Sequence, residues 1–229
     1  KSGDYTTAVR EFAALAEQGD TYAQTILALL YADGQGVPQD YKQAVKWYTK
    51  AAEQGSADAQ FNLGLIYQTG QGFNQDYKQA IKLYTKAAEQ GHAKAQSNLG
   101  VLYENGQGVP QDYKQAVKWY TKSAEQGSTT AQSNLGAMYS NGQGVPQDYK
   151  QAVKWFTKAA EQGNAKAQSN LGAMYANGQG VPQDNVYAHM WSNLAAVDGG
   201  ENASKIRDII AKRMTTADIS KAQSLAREC

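Results

Sequence analysis

Residues 128–163 read STTAQSNLGAMYSNGQGVPQDYKQAVKWFTKAAEQG and residues 92–127 read HAKAQSNLGVLYENGQGVPQDYKQAVKWYTKSAEQG, so the two stretches are identical at 28 of 36 positions. The same pattern continues in both directions, and five units of 36 residues fill residues 20–199. A fixed period of this size is typical of a solenoid, in which each unit buries its apolar face only against its neighbours. The repeat therefore decides the fold class.

Each unit is predicted to hold two helices, an A helix and a B helix, joined by a loop such as GQGVPQD. In the second unit, Ser56 is the expected N-cap of the A helix and Gly70 the left-handed residue that ends it. The B helix is expected to start at Asp76, with Gln79 reaching back as in a capping box, and to end at Gly91. All four prolines occupy one loop position, where they keep the loop from continuing the helix.

Helical periodicity divides each A helix into a core arc and an open arc, and gives each B helix one buried stripe. The core arc of the second unit holds Ala59, Leu63, Gly64, Ile66 and Tyr67. The stripe of the following B helix holds Tyr77, Ala80, Ile81, Leu83, Tyr84, Ala87 and Ala88, with Trp47, Trp119, Trp155 and Trp191 replacing Leu83 in other units. One glutamine per unit also falls on the core arc: Gln24, Gln60, Gln96, Gln132 and Gln168. Because buried polar groups are hydrogen-bonded, each is expected to satisfy a backbone group of an adjoining helix or loop.

Unit by unit, the pattern AxAQxxLGxxYxxGxGVPQDYxxAxxWYxxAAEQG resembles the Sel-one-like repeat, a longer relative of the tetratricopeptide repeat. The resemblance covers residues 4–203 and implies an all-α, right-handed α/α superhelix (solenoid) of stacked 36-residue helix-turn-helix repeats. Residues 185–229 also resemble the closing segment of bacterial members of the family.

The domain organisation that follows is a single solenoid domain over residues 1–229. Within it we expect an N-terminal half repeat at 1–19, in which residues 4–18 form a B helix without its partner. Five repeats are expected at 20–199 and capping helices at 200–229. The first residue is Lys1 rather than Met, so we also expect that a preceding segment has been processed or trimmed.

Composition excludes several classes of function. The chain has 22 Lys+Arg against 21 Asp+Glu, a net charge of +1, which removes any general argument for nucleic-acid binding. No apolar run approaches the roughly 20 residues of a membrane-spanning helix. Cys229 is the only cysteine, so no disulfide or thiolate metal cluster can form within one chain.

Catalytic motifs are missing from the sequence as well. His92 and His189 are the only imidazoles and lie almost three units apart; we interpret His92 as a cap and His189 as a residue of a helix face. Some relatives of the family have been labelled β-lactamases, but no Ser here has Lys three residues later, and neither SDN nor KTG occurs. We therefore predict a protein that is not an enzyme and needs no cofactor or metal.

The open arc of the A helices is the predicted binding site, because in tetratricopeptide-like solenoids it lines the concave groove. Its candidate residues are Asp58, Phe61, Asn62, Lys94, Ser97, Asn98, Asn105, Thr130, Ser133, Asn134, Lys166, Ser169 and Asn170. The row of asparagines in this set could hydrogen-bond the backbone of an extended peptide. It could equally be a ladder that links neighbouring helices.

A second surface is the back of the B helices, which we name the lysine ridge. Its residues are Lys42, Lys46, Lys50, Lys78, Lys82, Lys86, Lys114, Lys118, Lys122, Lys150, Lys154 and Lys158. Solubility explains such a ridge, although it could bind an anionic partner. No aromatic residue is expected on this face to stack a nucleic-acid base.

The function predicted from the sequence is a non-enzymatic protein-protein interaction scaffold or adaptor that binds a peptide or protein segment in its concave groove. The alternative is an envelope-associated protein that binds an anionic glycan or peptidoglycan through the lysine ridge. Family resemblance also implies a periplasmic or secreted location. We expect a protein or peptide partner, no nucleic acid and no transmembrane segment; the sequence does not indicate an oligomeric state.

Overall fold

A computed structural model describes residues 5–197 and 201–228, and within these ranges the chain forms 13 helices and no strand. The helices are α1 (Tyr5–Glu17), α2 (Thr21–Asp33), α3 (Tyr41–Glu53), α4 (Ala57–Thr69), α5 (Tyr77–Glu89), α6 (Ala93–Asn105), α7 (Tyr113–Glu125), α8 (Thr129–Asn141), α9 (Tyr149–Glu161), α10 (Ala165–Asn177), α11 (Asn185–Val197), α12 (Glu201–Ala211) and α13 (Thr216–Glu228). The predicted helix start at residue 4, the repeat boundary at 199–200 and Cys229 lie outside the described residues. The prediction of an all-α fold of 36-residue helical repeats is confirmed.

The helices belong to two compact units, Lys1–Gln111 and Asp112–Cys229. In the first unit, α2 pairs with α3 and α4 with α5, while α1 packs on α2, α3 on α4, and α5 on α6. In the second unit, α8 pairs with α9 and α10 with α11, and both α12 and α13 pack on α11. Within each unit, packing therefore runs mainly between helices that are neighbours along the chain, the largest exception being α13, which packs on α11.

Helix ends follow the predicted capping chemistry, with one correction. The Ser56 hydroxyl accepts the backbone N–H of Ala59 at 3.2 Å, and Gly70 ends α4 with φ 72°. The Asp76 carboxylate accepts the backbone N–H of Gln79 at 3.0 Å. The second half of the expected capping box is wrong, because the N–H of Asp76 donates to the carbonyl of Tyr67 at 2.8 Å and is not free for the Gln79 side chain.

The core of the first unit follows the predicted arcs at the small residues and at Leu63, Ile66 and Tyr84. A β-carbon at Gly64 would lie 2.8 Å from the ring of Tyr84, so the glycine allows α4 and α5 to approach closely. The expectation of full burial is corrected at the positions that are only partly buried: Tyr67, Tyr77, Ile81 and Leu83. Tyr67 and Leu83 pack at the edge of the core.

The predicted role of the core glutamines is confirmed. Each donates its side-chain amide to a carbonyl of the preceding B helix; for Gln60 this is Ala52, at 3.1 Å. The other four bonds join Gln24 to Ala16, Gln96 to Ala88, Gln132 to Ala124 and Gln168 to Ala160. The Oε1 of Gln60 also accepts the side-chain amide of Gln90 at 2.8 Å. These buried amides therefore join consecutive helical hairpins through hydrogen bonds.

Candidate functional site

The 13 candidate residues lie on the A helices α4, α6, α8 and α10, as the helical register requires. The exposed ones are Asp58, Lys94, Asn105, Thr130 and Lys166. The partly buried ones are Phe61, Asn62, Asn98, Asn134, Ser169 and Asn170. The register thus brings most of the predicted set to the surface.

Ser97 and Ser133 are corrections to that set. They are 7% and 2% exposed, and the hydroxyl of Ser133 has no hydrogen-bond partner among the described residues. Both occupy the repeat position that Phe61 occupies in α4, at the border between the open and core arcs. At this border Phe61 and Ser169 are partly exposed, whereas the side chains that surround Ser97 and Ser133 cover both. The two serines therefore do not line a groove.

The first cleft of the open arc lies across three consecutive A helices of the first unit and has a volume of about 490 Å³. It is lined by Thr25, Ile26, Leu29, Asp58, Phe61, Asn62, His92, Ala93 and Lys94. One wall is a stack of the Phe61 and His92 rings, with centroids 4.6 Å apart. His92 Nε2 lies 3.3 Å from Asp58 Oδ1 while its Nδ1 accepts the backbone N–H of Ala95, which confirms the predicted cap.

A second cleft, of about 560 Å³, adjoins the first and shares Leu29 and Asn62 with it. Its lining is Leu29, Ala32, Asp33, Gln39, Tyr41, Tyr48, Asn62, Leu65, Ile66 and Gln71. Leu29 and Leu65 are 40% and 36% exposed although both are large and apolar. We call the two clefts together the unit 1 groove, and this second one the Tyr48 cleft.

The asparagine row is not uniform. Asn98 donates its side-chain amide to the hydroxyl of Tyr84 at 3.1 Å, so here the row links an A helix to the preceding B helix. Asn62, at the equivalent position of the previous repeat, lines both clefts and has no side-chain hydrogen bond within the described part of the chain. Both interpretations from the sequence therefore apply, at different positions.

The tyrosine of the preceding B helix explains why Asn98 is bonded and Asn62 is not. Tyr84 donates its hydroxyl to Oε1 of Gln68 at 2.6 Å and accepts from Asn98. One repeat earlier, Ala32 stands where Gln68 stands, and Tyr48 has no hydrogen-bond partner among the described residues. Aligning the repeats would have exposed this change, but its meaning depends on knowing which side chains touch.

The lysine ridge has a structural role that the sequence reasoning missed. The Nζ atoms of Lys46 and Lys50 lie 5.0 and 4.3 Å from the centroid of the Trp47 ring. The same arrangement places Lys118 and Lys122 beside Trp119, and Lys154 and Lys158 beside Trp155. These rings lie beneath the lysines and are at most 7% exposed, so they are not available to stack a nucleic-acid base. Cation-π attraction and covering of the ring give these six lysines a role in the fold.

His189 is the second histidine and lies buried in α11, with no partner for its Nδ1 among the described residues. Burial lowers its pKa, and the Arg207 charge lowers it further, while Asp208 acts in the opposite direction. Within the described ranges, no three or more His, Cys, Asp or Glu side chains are close enough to hold a metal ion. Among those residues, no helix is long and apolar enough to cross a membrane.

Comparison with models of known protein families identifies the repeat. The model of the Sel1 repeat matches residues 21–56, 57–92, 93–128, 129–164 and 165–196. None of the curated proteins compared with the chain matches it.

Three solved structures are similar over most of the chain. A Sel1 repeat protein from Oxalobacter formigenes is 37% identical, with 90% of this chain and 87% of that one covered and a TM-score of 0.77. A protective antigen present in uropathogenic Escherichia coli strains, displaying an SLR fold, is 33% identical over 98% of this chain, with a TM-score of 0.64; the match spans 56% of the antigen's length. A putative Sel1 repeat protein from Klebsiella pneumoniae is 27% identical over 89% of this chain and 99% of that one, with a TM-score of 0.52.

Proposed function

The chain belongs to the Sel1 repeat family, and from this membership we propose that it is a non-catalytic scaffold that holds an extended segment of a protein partner against its A helices. Sel1 repeat proteins generally mediate protein-protein interactions. The unit 1 groove is the observation that carries the proposal, because across three consecutive A helices it combines exposed apolar side chains with the free side-chain amide of Asn62.

Apolar contacts supply the affinity in this proposal. Leu29 and Leu65 face solvent in the groove, and Phe61 presents a ring supported by His92. Covering a leucine side chain removes apolar surface from water, which stabilises a complex by about 25 cal/mol for each Å² buried. Two or three such anchors suit a partner whose apolar residues alternate along an extended strand.

Asn62 supplies the polar recognition. It lies between the two clefts, and its amide offers both a donor and an acceptor to a passing peptide backbone. Within unit 1, the site extends to Lys94, Asn98 and Asn105 of α6. Among these, Asn98 is already bonded to Tyr84 and is expected to contribute least. In unit 2, the exposed or partly exposed candidates of α8 and α10 form a separate candidate surface: Thr130, Asn134, Lys166, Ser169 and Asn170.

A crosslinking experiment tests the groove directly. A benzoylphenylalanine introduced at Leu29 is expected to crosslink one partner segment in cells that express the protein, and mass spectrometry identifies the segment. The matched control carries the same probe at Lys78, which is exposed on α5 away from the groove. A partner that crosslinks only from Lys78, or equally from both positions, contradicts the proposal.

The lysine ridge is not favoured as the binding surface, since cation-π contacts give six of its lysines a role within the fold. Ionic strength separates the two alternatives. Binding of an anionic glycan by exposed lysines should weaken steeply as salt rises, whereas binding in a mainly apolar groove should change little.

We also propose a periplasmic or secreted location and a capping role for residues 200–229. The bacterial relatives support the first, and the packing of α12 and α13 on α11 supports the second. Cell fractionation with marker proteins tests the location. Deletion of residues 200–229 tests the capping role. If these residues cap the solenoid, their removal should increase hydrogen exchange of the α11 backbone amides.

A further inference from the structure

The Tyr48 cleft lies where two consecutive repeats differ in the side chain that faces the B-helix tyrosine. In the later repeat, the side chain of Gln68 bonds to the hydroxyl of Tyr84 at 2.6 Å. In the earlier repeat, Ala32 replaces that glutamine and leaves the space above Tyr48 open to solvent as a cleft of about 560 Å³.

Tyr48 supplies an unused polar group to this cleft. The residue is 1% exposed, so its ring is fixed in the core, and it lines the cleft together with Asn62. Among the described residues, neither side chain has a hydrogen-bond partner. A ligand group that enters the cleft can therefore bond to the Tyr48 hydroxyl, as Gln68 and Asn98 bond to the hydroxyl of Tyr84.

The electrostatics of the cleft favour a cation. Asp33 is the one charged residue among the described side chains that line it, and it is exposed and makes no ion pair among them. It is also the last residue of α2, whose C-terminal end carries the negative end of the helix dipole. Burial raises the pKa of Tyr48, and the nearby Asp33 charge raises it further, so the phenol remains neutral.

We propose that the Tyr48 cleft binds an arginine side chain of the partner segment, with its guanidinium between Asp33, Tyr48 and Asn62 and its aliphatic part against Leu29 and Leu65. The inference rests on the proposed function, because the arginine belongs to the segment held in the unit 1 groove.

Arginine fits this lining better than lysine or a neutral side chain. Its planar guanidinium has five N–H donors, which can reach a carboxylate, a phenol oxygen and an amide oxygen at the same time. It is also more weakly hydrated than the ammonium of lysine, so less free energy is lost when it enters a partly apolar cleft.

Three peptides that differ in one residue test the proposal: acetyl-Ala-Leu-X-Leu-Ala amide, with X as arginine, citrulline or norleucine. Citrulline has the shape of arginine without its charge. Binding to the ¹⁵N-labelled protein is followed through the backbone amides of Ala32 and Asp33. We expect the arginine peptide to bind about tenfold more tightly than the citrulline peptide, because charge-assisted hydrogen bonds are about twice as strong as neutral ones.

Three variants locate the charge preference. Asp33→Asn should remove the advantage of arginine over citrulline, whereas the matched control Asp58→Asn, in the neighbouring cleft, should keep it. Ala32→Gln should abolish binding of all three peptides here, because the new side chain can bond to Tyr48 as Gln68 bonds to Tyr84. Circular dichroism confirms that each variant is folded.

Each remaining outcome overturns the arginine proposal in a recognisable way. Equal binding of arginine and citrulline peptides would refute it while leaving the groove as a binding site. Loss of the preference in Asp58→Asn alone would place the cation in the other cleft. If no peptide perturbs Ala32 or Asp33, the proposal also fails, and the scaffold function is then decided independently by crosslinking from Leu29.

Discussion

Tyr48 and Tyr84 occupy the same position in consecutive repeats, and removal of their hydroxyls should have different effects on stability. Tyr84→Phe deletes two hydrogen bonds, one of 2.6 Å to Gln68 and one of 3.1 Å from Asn98. Tyr48→Phe deletes none among the described residues. Phenylalanine occurs naturally at this position as Phe156, so the ring itself is compatible with the repeat.

The size of the difference follows from the two bonds. A hydrogen bond contributes a net free energy of about 0.5–1.5 kcal/mol to folding. Gln68 and Asn98 are only partly buried, so water can replace part of what Tyr84 provided. We therefore expect Tyr84→Phe to lower the free energy of unfolding by about 1–2 kcal/mol, and Tyr48→Phe to change it by less than about 0.5 kcal/mol.

Urea denaturation followed by circular dichroism measures both variants against the unmodified protein, and the double variant checks that the effects add. Thermal melting should show a decrease of about 2–4 °C for each kcal/mol lost in a chain of this size. Equal destabilisation by the two substitutions would show that Tyr48 is bonded as Tyr84 is, and would refute the reasoning behind the Tyr48 cleft.

Three further substitutions test the core. Gln60→Leu should cost about 2 kcal/mol in urea denaturation, because the carbonyl of Ala52 loses its buried donor; an unchanged midpoint would contradict the structural role of this amide. Leu83→Trp should fill a cleft of about 280 Å³ and raise the free energy of unfolding by about 0.5–2 kcal/mol; a lower melting temperature would show that the ring does not fit. Ser133→Ala should be neutral or stabilising, and should leave partner binding unchanged in the crosslinking assay, because the hydroxyl is buried without a partner among the described residues; loss of binding would restore this position to the groove.

Helix positions and caps were predictable because they depend on residues close together in the chain. Ser56 and Gly70 lie at the ends of one helix, and the spacing between them is sufficient to predict it. The hydrogen bonds of the core glutamines were predictable in kind, since a polar side chain on a buried arc must find a partner.

The errors arose where the outcome depends on the surroundings of a side chain. Ser97 and Ser169 share a register position with Phe61, but Ser97 is buried and Ser169 is partly exposed, so exposure here depends on the neighbouring side chains as well as on register. The placing of Lys50 over Trp47 depends on rotamers, which helical periodicity does not contain. The Tyr48 cleft depends on Ala32, a residue 16 positions earlier, and the sequence alone does not show that these positions meet in space.

The core glutamines have a consequence for how this protein can change in length. Each 36-residue segment includes the glutamine whose side-chain amide donates a hydrogen bond to the backbone of the preceding segment, as Gln60 does to Ala52. A tandem copy of one segment therefore carries the glutamine that bonds it to the preceding segment. The new junction between segments needs no further substitution. Residues 92–127 and 128–163 are nearly identical, as expected if the chain was recently lengthened by duplication of one repeat. Extension and shortening by whole segments are thus open to evolution and to protein engineering, while the joining interaction stays the same.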